Sequence, residues 1–372
     1  MAPPPPPPPP PGRMELPNFY RLRNTPAEAV PARVALLLPF SGGTPETRAL
    51  AESLEKAAEL AVLDSKNGDI LLMPRDDGGT PQTAAAAATR AIADGAEIII
   101  GPLFSQNVAA VSPIARAGHV PVIGLSSDRS VGGNGVYLLS FQPETEVNRI
   151  VSYAVRTGHT SFSGLIPKSA YGEKVVAAFR DSVMRAGAQI AAIESFDEQP
   201  QAVTAPAKAA AQAGGDAILI AEGGTMLQAL GPALALNGVT PRSVQLLGTG
   251  LWDDVSILRE PVLAQGWFAA PPPDAFRNFA AHYRQIYQAA APRIATLSYD
   301  AISLVALLTQ GRPGLRFTDA ALTDASGFAG VDGIFRFRRD GSAERGLAIL
   351  QVDPNGFRVV DPAPKSFPQP GF

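Results

Sequence analysis

Residues 97–127, EIIIGPLFSQNVAAVSPIARAGHVPVIGLSS, decide how the rest of the chain is read. The stretch runs as a buried apolar strand, a turn carrying Ser105, a helix, a second buried strand and a turn carrying Ser126 and Ser127. That is one complete βαβ crossover. In a parallel sheet both turns leave strand carboxyl ends, where open α/β proteins collect ligands, so Ser105, Ser126 and Ser127 are expected to face one crevice. Pro113 falls inside the helical stretch 107–115 and removes a backbone hydrogen bond, so a kink and a helix restart are expected there.

The same alternation extends outward in both directions. Upstream, residues 34–38 form an apolar run closed by Pro39, and Ser41-Gly42-Gly43-Thr44-Pro45 has turn chemistry, which adds Ser41 to the strand-end candidates. Leu50, Leu54, Ala57 and Ala61 repeat at helical spacing until Asn67-Gly68. A strand over 70–73, the turn Asp76-Asp77-Gly78-Gly79 and an alanine-rich helix to 92 follow, with Thr80 as cap and Pro81 at the first helical position. Past a glycine-rich turn at 132–135 and a strand over 137–141, a second series begins. It reads helix 144–156, strand 162–166, helix 169–186, strand 189–193, helix 204–213, strand 217–221, helix 225–236 and strand 245–247.

Beyond Gly266 the order changes. Residues 267–273 read as a link to two successive helices, 276–289 and 297–310, and strands follow at 330–337 and 347–352. Helices without intervening strands must cover a sheet that already exists, so the chain is expected to return to the first lobe and cross again near residue 330. The predicted fold class is α/β: two doubly wound parallel-sheet lobes joined by a three-segment hinge. Lobe 1 is assigned 32–141 plus 268–329 and lobe 2 is assigned 142–267 plus 330–361. Residues 1–31 are assigned to a proline-rich disordered linker and 362–372 to a tail.

Composition narrows the function classes. With 372 residues the chain exceeds one ordinary domain, and 46% hydrophobic content suffices for two cores. A net charge of -3 and a charged fraction of 17% supply no basic surface, so no nucleic-acid partner is expected. The chain has no cysteine, which excludes disulfides, zinc-thiolate sites and thiol catalysis and fits either a reducing or an oxidising compartment. No run approaches about 18 apolar residues, so no transmembrane segment is expected, and the amino end lacks the charged and apolar regions of an export signal. Pro3 to Pro11 should adopt polyproline II over roughly 28 Å, as a stiff spacer or as a docking site for a proline-reading module.

The segments VALLLPFSG, DDGGTPQTA, IIIGPLFSQNVAAVSPIA, VPVIGLSS, SAYGEKVVAAFRDSVMRAGAQI and DGIFRFRRDGSAERGLAIL resemble the type I periplasmic binding proteins of the leucine/isoleucine/valine-binding type. The resemblance covers nearly all of residues 32–360. Within that family, the proline-rich amino end and GVDGIFRF look most like the penicillin-binding protein activators, lipoproteins that stimulate peptidoglycan synthases. It implies a periplasmic location, with lipid anchoring for the activators. Two functions follow as expectations: binding a small polar ligand such as an amino acid between the lobes for transport or sensing, with a transporter permease as partner, or binding a penicillin-binding protein.

Ser105 stands beside the free backbone N–H groups of a helix start, a place that favours an anion, and the resemblance makes it a contact for the ligand's polar head; plain helix capping is the alternative. The resemblance places Ser126 and Ser127 on the ligand's ammonium and carboxylate, and Tyr171 on the opposite wall or in lobe packing. Gly223, Gly250 and Trp252 lie in loops leaving second-lobe strand ends, with Trp252 stacking on a ligand or packing internally. Two departures from the family bear on the ligand. The acid that pairs with an amino group matches Gly250, and the threonine near the carboxylate site matches Asp128. A ligand carboxylate at ~4 Å from Asp128 would meet roughly 4 kcal/mol of repulsion at an effective dielectric of ~20. Glu222 and Asp253 are candidates to replace the lost acid.

No catalytic set emerges. His119, His159 and His282 are dispersed without metal-ligand spacing, and there is no GxSxG elbow or P-loop. Asp76-Asp77 and Asp253-Asp254 are sequence neighbours whose side chains point apart, which suits turns better than acid-base work. No enzyme activity, metal or cofactor is expected.

Overall fold

A computed structural model describes Tyr20 and residues 30–66 and 69–367. The proline run and the Asn67-Gly68 helix stop lie outside the described residues. Two compact units are present. Of the described residues, the first holds those up to Ser140, Phe276–Val331 and Arg336–Ala343, and the second holds Phe141–Ala275, Asp332–Phe335 and those from Glu344 to Phe367.

The first unit runs β1 (Ala32–Leu38), α1 (Pro45–Ser65), β2 (Ile70–Asp76), α2 (Pro81–Ala93), β3 (Ile98–Ile100), α3 (Ser105–Ala117), β4 (Val122–Gly124) and β5 (Val136–Leu138). Its sheet has the order β2-β1-β3-β4-β5 and every pairing is parallel. Apart from Arg33, strands β1, β3 and β4 are apolar and almost wholly buried, as befits a parallel sheet covered on both faces. Ala87, Ala88 and Ala91 of α2 pack with Val108 and Val111 of α3 against Ala35, Leu37 and Ile99. Thr80 and Thr83 form a reciprocal capping box with Pro81 just behind it, which starts α2 where the sequence placed it.

Helix α3 departs from expectation. It runs unbroken through Pro113 instead of restarting there. Pro113 and Ala109, whose carbonyl loses its N–H partner, both lie on the exposed face, so water can serve the freed acceptor.

The second unit contains α4 (Pro143–Arg156), β6 (Ser161–Pro167), α5 (Ala170–Arg185), β7 (Gln189–Phe196), α6 (Thr204–Gln212), β8 (Ala217–Ile220), α7 (Gly224–Leu236), β9 (Gln245–Gly248) and β10 (Trp267–Ala270). The chain continues through α8 (Pro273–Tyr287), α9 (Ala295–Leu308) and α10 (Asp319–Leu322). It ends with β11 (Phe328–Gly330), β12 (Gly333–Phe337), β13 (Ala343–Arg345), β14 (Ala348–Asp353) and β15 (Gly356–Asp361). The second sheet has the order β15-β14-β10-β9-β8-β6-β7.

Four expectations are corrected here. Residues 267–270 are a strand of the second sheet and not a link into the first lobe, since β10 pairs parallel with β9 and antiparallel with β14. The second sheet is not wholly parallel, because the short β14–β15 connection permits only an antiparallel return. The third connection, residues 331–344, passes between the units three times and not once, and the expected 330–337 strand is divided into β11 and β12. The expected tail contributes a buried Phe367. Helices α8 and α9 do return to the first unit, where Phe279, Tyr283 and Ala295 pack on Ala57 and Leu60 of α1.

Candidate functional site

In each unit the strand order reverses once beside the first strand of the series. From β1 the chain moves to β2 on one side and then to β3 on the other, so the loops after β1 and β3 flank a switch point. In the second unit β7 and β8 lie on opposite sides of β6, so the loops after β6 and β8 flank the equivalent position. Ser41 and Ser105 fall at the first switch point. Tyr171 and Gly223 fall at the second, with Gly250 one strand further on.

Within the first unit the candidate hydroxyls divide into two sorts. Ser41 donates its hydroxyl to Asp76 Oδ2, and its backbone N–H reaches Asp76 Oδ1 at 3.1 Å. Burial pushes the Asp76 carboxyl up, but donors from Ser41, Gly78 and Phe40 outweigh it and leave it below the usual range. Ser126 is 5% exposed, and its hydroxyl accepts the Asp128 N–H at 3.1 Å. Asp128 in turn accepts the Ser130 N–H at 3.1 Å and hydroxyl at 2.8 Å, capping a short turn. Ser105 does not cap α3: Phe104 holds the cap position and Ser105 is the first helical residue. Ser105 is half-buried and Ser127 is exposed, and no hydrogen bond to either hydroxyl is present among the described residues.

The second unit gathers polar groups from separate elements. Ser169 caps α5 by accepting the Gly172 N–H at 3.2 Å, which sets Tyr171 in the first turn at the end of β6. The Tyr171 hydroxyl lies 2.9 Å from the Thr249 hydroxyl at the end of β9. One residue on, the Gly250 N–H donates to Glu146 Oε2 at 2.9 Å, across from α4. A Cβ at position 250 would stand 2.8 Å from Glu146 Oε1. The acid absent from position 250 thus has a carboxylate beside it, delivered by another helix.

Glu146 is 7% exposed. Burial pushes its carboxyl up to about 7, opposed by the Gly250 N–H and reinforced by Glu144. Burial, and then the charges of Glu146 and Glu222, raise the Tyr171 hydroxyl far above its ordinary value, the Thr249 hydrogen bond opposing. Glu222 is raised by burial and accepts the Gly223 N–H at 3.0 Å. Gly223 itself has no room for a side chain, since a Cβ would stand 2.8 Å from the Leu251 carbonyl oxygen.

Trp252 is corrected as a ligand contact. The indole is fully buried and packs over Gly248, where a Cβ would come within 2.2 Å of the ring, and near Phe268 at 6.3 Å. A ring without solvent access cannot stack on a solute. Glu146, conversely, is the residue the sequence reading passed over. Its signal was an acid on the buried stripe Glu146, Val147, Ile150, Val151 and Ala154 of α4. Among the described residues no group of three acidic or histidine side chains could hold a metal ion, and no helix is long and apolar enough to cross a membrane.

The sequence pattern of the family described as periplasmic binding protein matches residues 31–357. This chain belongs to the periplasmic binding protein family. The family is one of binding proteins and not of enzymes, and it implies a periplasmic location.

Similar solved structures carry the same architecture. One from Rhodospirillum rubrum, named for branched-chain amino acid ABC transport, has a TM-score of 0.79 at 18% identity, covering 89% of this chain and 100% of that chain. The leucine binding protein LivK of Thermotoga maritima has a TM-score of 0.62 at 19% identity, covering 89% and 98%. An R. palustris solute binding protein in complex with benzoate has a TM-score of 0.64 at 18% identity, covering 91% and 97%. These likenesses establish the fold, as expected from the sequence. Among curated proteins, the uncharacterized protein RP748 of Rickettsia prowazekii is 23% identical over 127 residues. The match spans 34% of that relative's length.

Proposed function

We propose that this periplasmic binding protein captures a small polar solute at its switch-point loops and serves an ABC transporter. The observation that carries the reading is the Tyr171, Thr249, Gly250 and Glu146 constellation. Three polar side chains and one backbone N–H from three elements converge there, and only part of the hydrogen-bonding capacity of Glu146 and Tyr171 is used internally. The names of similar folds suggest branched-chain amino acids and aromatic acids as the solutes to try first.

Thermal unfolding with a panel of amino acids, aromatic acids and short peptides tests the reading. A solute at ~100 times its Kd should add roughly 2.7 kcal/mol of stability. A second reading, an activator that binds a penicillin-binding protein, is favoured by the internal engagement of Ser41 and Ser126. No shift with any solute, together with co-purification of a penicillin-binding protein, would select it over the first.

A further inference from the structure

Resting on the reading of the second unit's loops as a solute-binding wall, we propose that Glu146 receives a primary ammonium group of the ligand, in place of the side chain that Gly250 lacks. Glu146 Oε2 is engaged by the Gly250 N–H, while Oε1 has no hydrogen-bond partner among the described residues although the residue is 7% exposed. A carboxylate has about four acceptor positions, so one N–H leaves most of its capacity unused. No cation is paired with Glu146 among the described residues. The titratable group acting on it is Glu144 from its own helix, and Glu146 and Glu222, the latter from the loop after β8, in turn bear on Tyr171 of α5.

Three carboxyl groups without a counter-charge disfavour an anion and favour a cation. Accepting the Gly250 N–H requires no charge, since a neutral amide oxygen would do the same with a smaller desolvation penalty. An ammonium group supplies the missing charge and three donors, and the half-buried Tyr171 hydroxyl is a further acceptor from the same unit, held from behind by the fully buried Thr249 hydroxyl. Binding takes a balanced form: protonated Glu146 and the ligand ammonium give the carboxylate-ammonium pair and one proton released to solvent. Because burial holds the carboxyl half-protonated near neutrality, affinity should rise as pH passes upward through that range.

Titration calorimetry of the full chain tests this with L-leucine and L-phenylalanine, their deaminated counterparts 4-methylpentanoate and 3-phenylpropanoate, the amines 3-methylbutylamine and 2-phenylethylamine, and benzoate. Runs in two buffers of different ionisation enthalpy, from about pH 5.5 to about pH 8.5, count the protons released. The expected result is at least about tenfold tighter binding of an amine-bearing compound than of its deaminated counterpart, with release of up to one proton that fades above neutrality. E146Q, whose amide oxygen can keep the Gly250 contact, should lose about tenfold or more in affinity, together with the pH dependence. Equal binding of the acids with and without the amine, or an unchanged pH profile in E146Q, would overturn the proposal while leaving the solute reading intact. If no compound binds, both fall.

Discussion

In the loops after β1 and β4 of the first unit, two hydroxyls serve their own surroundings and leave Ser127 unengaged among the described residues: Ser41 holds Asp76, and Ser126 holds the Asp128 backbone. The loops after β6 and β9 in the second unit do otherwise, because Tyr171, Thr249, Gly250 and Glu146 reach one another from three separate elements. A hydroxyl at a strand end closes a local turn as readily as it holds a solute. It remains free for the solute where turn closure is met by someone else, as Ser169 meets it for α5 and thereby leaves Tyr171 uncommitted to the cap.

The largest effect that tests this contrast lies behind the second unit's loops. Trp252→Ala should destabilise the protein by about 3 to 5 kcal/mol in urea unfolding, because the indole is wholly buried. A change below about 1 kcal/mol would mean that the ring has another place, and its assignment to the core would fail.

Next comes the pH dependence of stability. The folded-state pKa of Glu146 is about 7, above the 4.5 of an unperturbed glutamate, so the folded state holds more protons than the unfolded state between those values. Stability from this group is therefore greatest below about pH 4.5 and declines by roughly 3 kcal/mol as pH rises through 7. E146Q should remove that part of the slope and be the more stable protein above neutrality. Identical slopes in the two proteins would show that the carboxylate is solvated.

A smaller loss is expected from Tyr171→Phe, about 0.5 to 1.5 kcal/mol for one hydrogen bond, and a cycle with Thr249→Ala should show the two changes to be non-additive. Additive losses would separate the pair. Smallest is Ser127→Ala in the first unit, within about 0.5 kcal/mol, since the hydroxyl is exposed and unengaged among the described residues. Any larger fall in solute affinity from that variant would then report a direct contact, and no fall would remove Ser127 from the site.

Much of the fold was legible because its signals are local. The apolar run at β3, the cap and proline at the start of α2 and the periodicity of α1 each lie within a few residues of the element they specify. Strand β10 was missed for the opposite reason. WFAA between Gly266 and a proline run reads as a linker, and only β9 on one side and β14 on the other make it a strand. Pro113 misled in a different way, since its penalty depends on whether the freed carbonyl meets water. Glu146 was overlooked because an acid in the first turn of a helix is ordinary dipole chemistry, whereas its burial depends on a loop 104 residues further along the chain.

The sequence by itself therefore established an α/β chain of the periplasmic binding protein type, the strand-end loops that carry its polar groups, and the departure at Gly250. Which of those groups close turns, which are buried and which keep free acceptors was decided only by the tertiary structure. The physical reason is range. Periodicity and capping act over a few residues, while desolvation and the meeting of a carboxylate with a distant backbone N–H exist only once remote segments have packed.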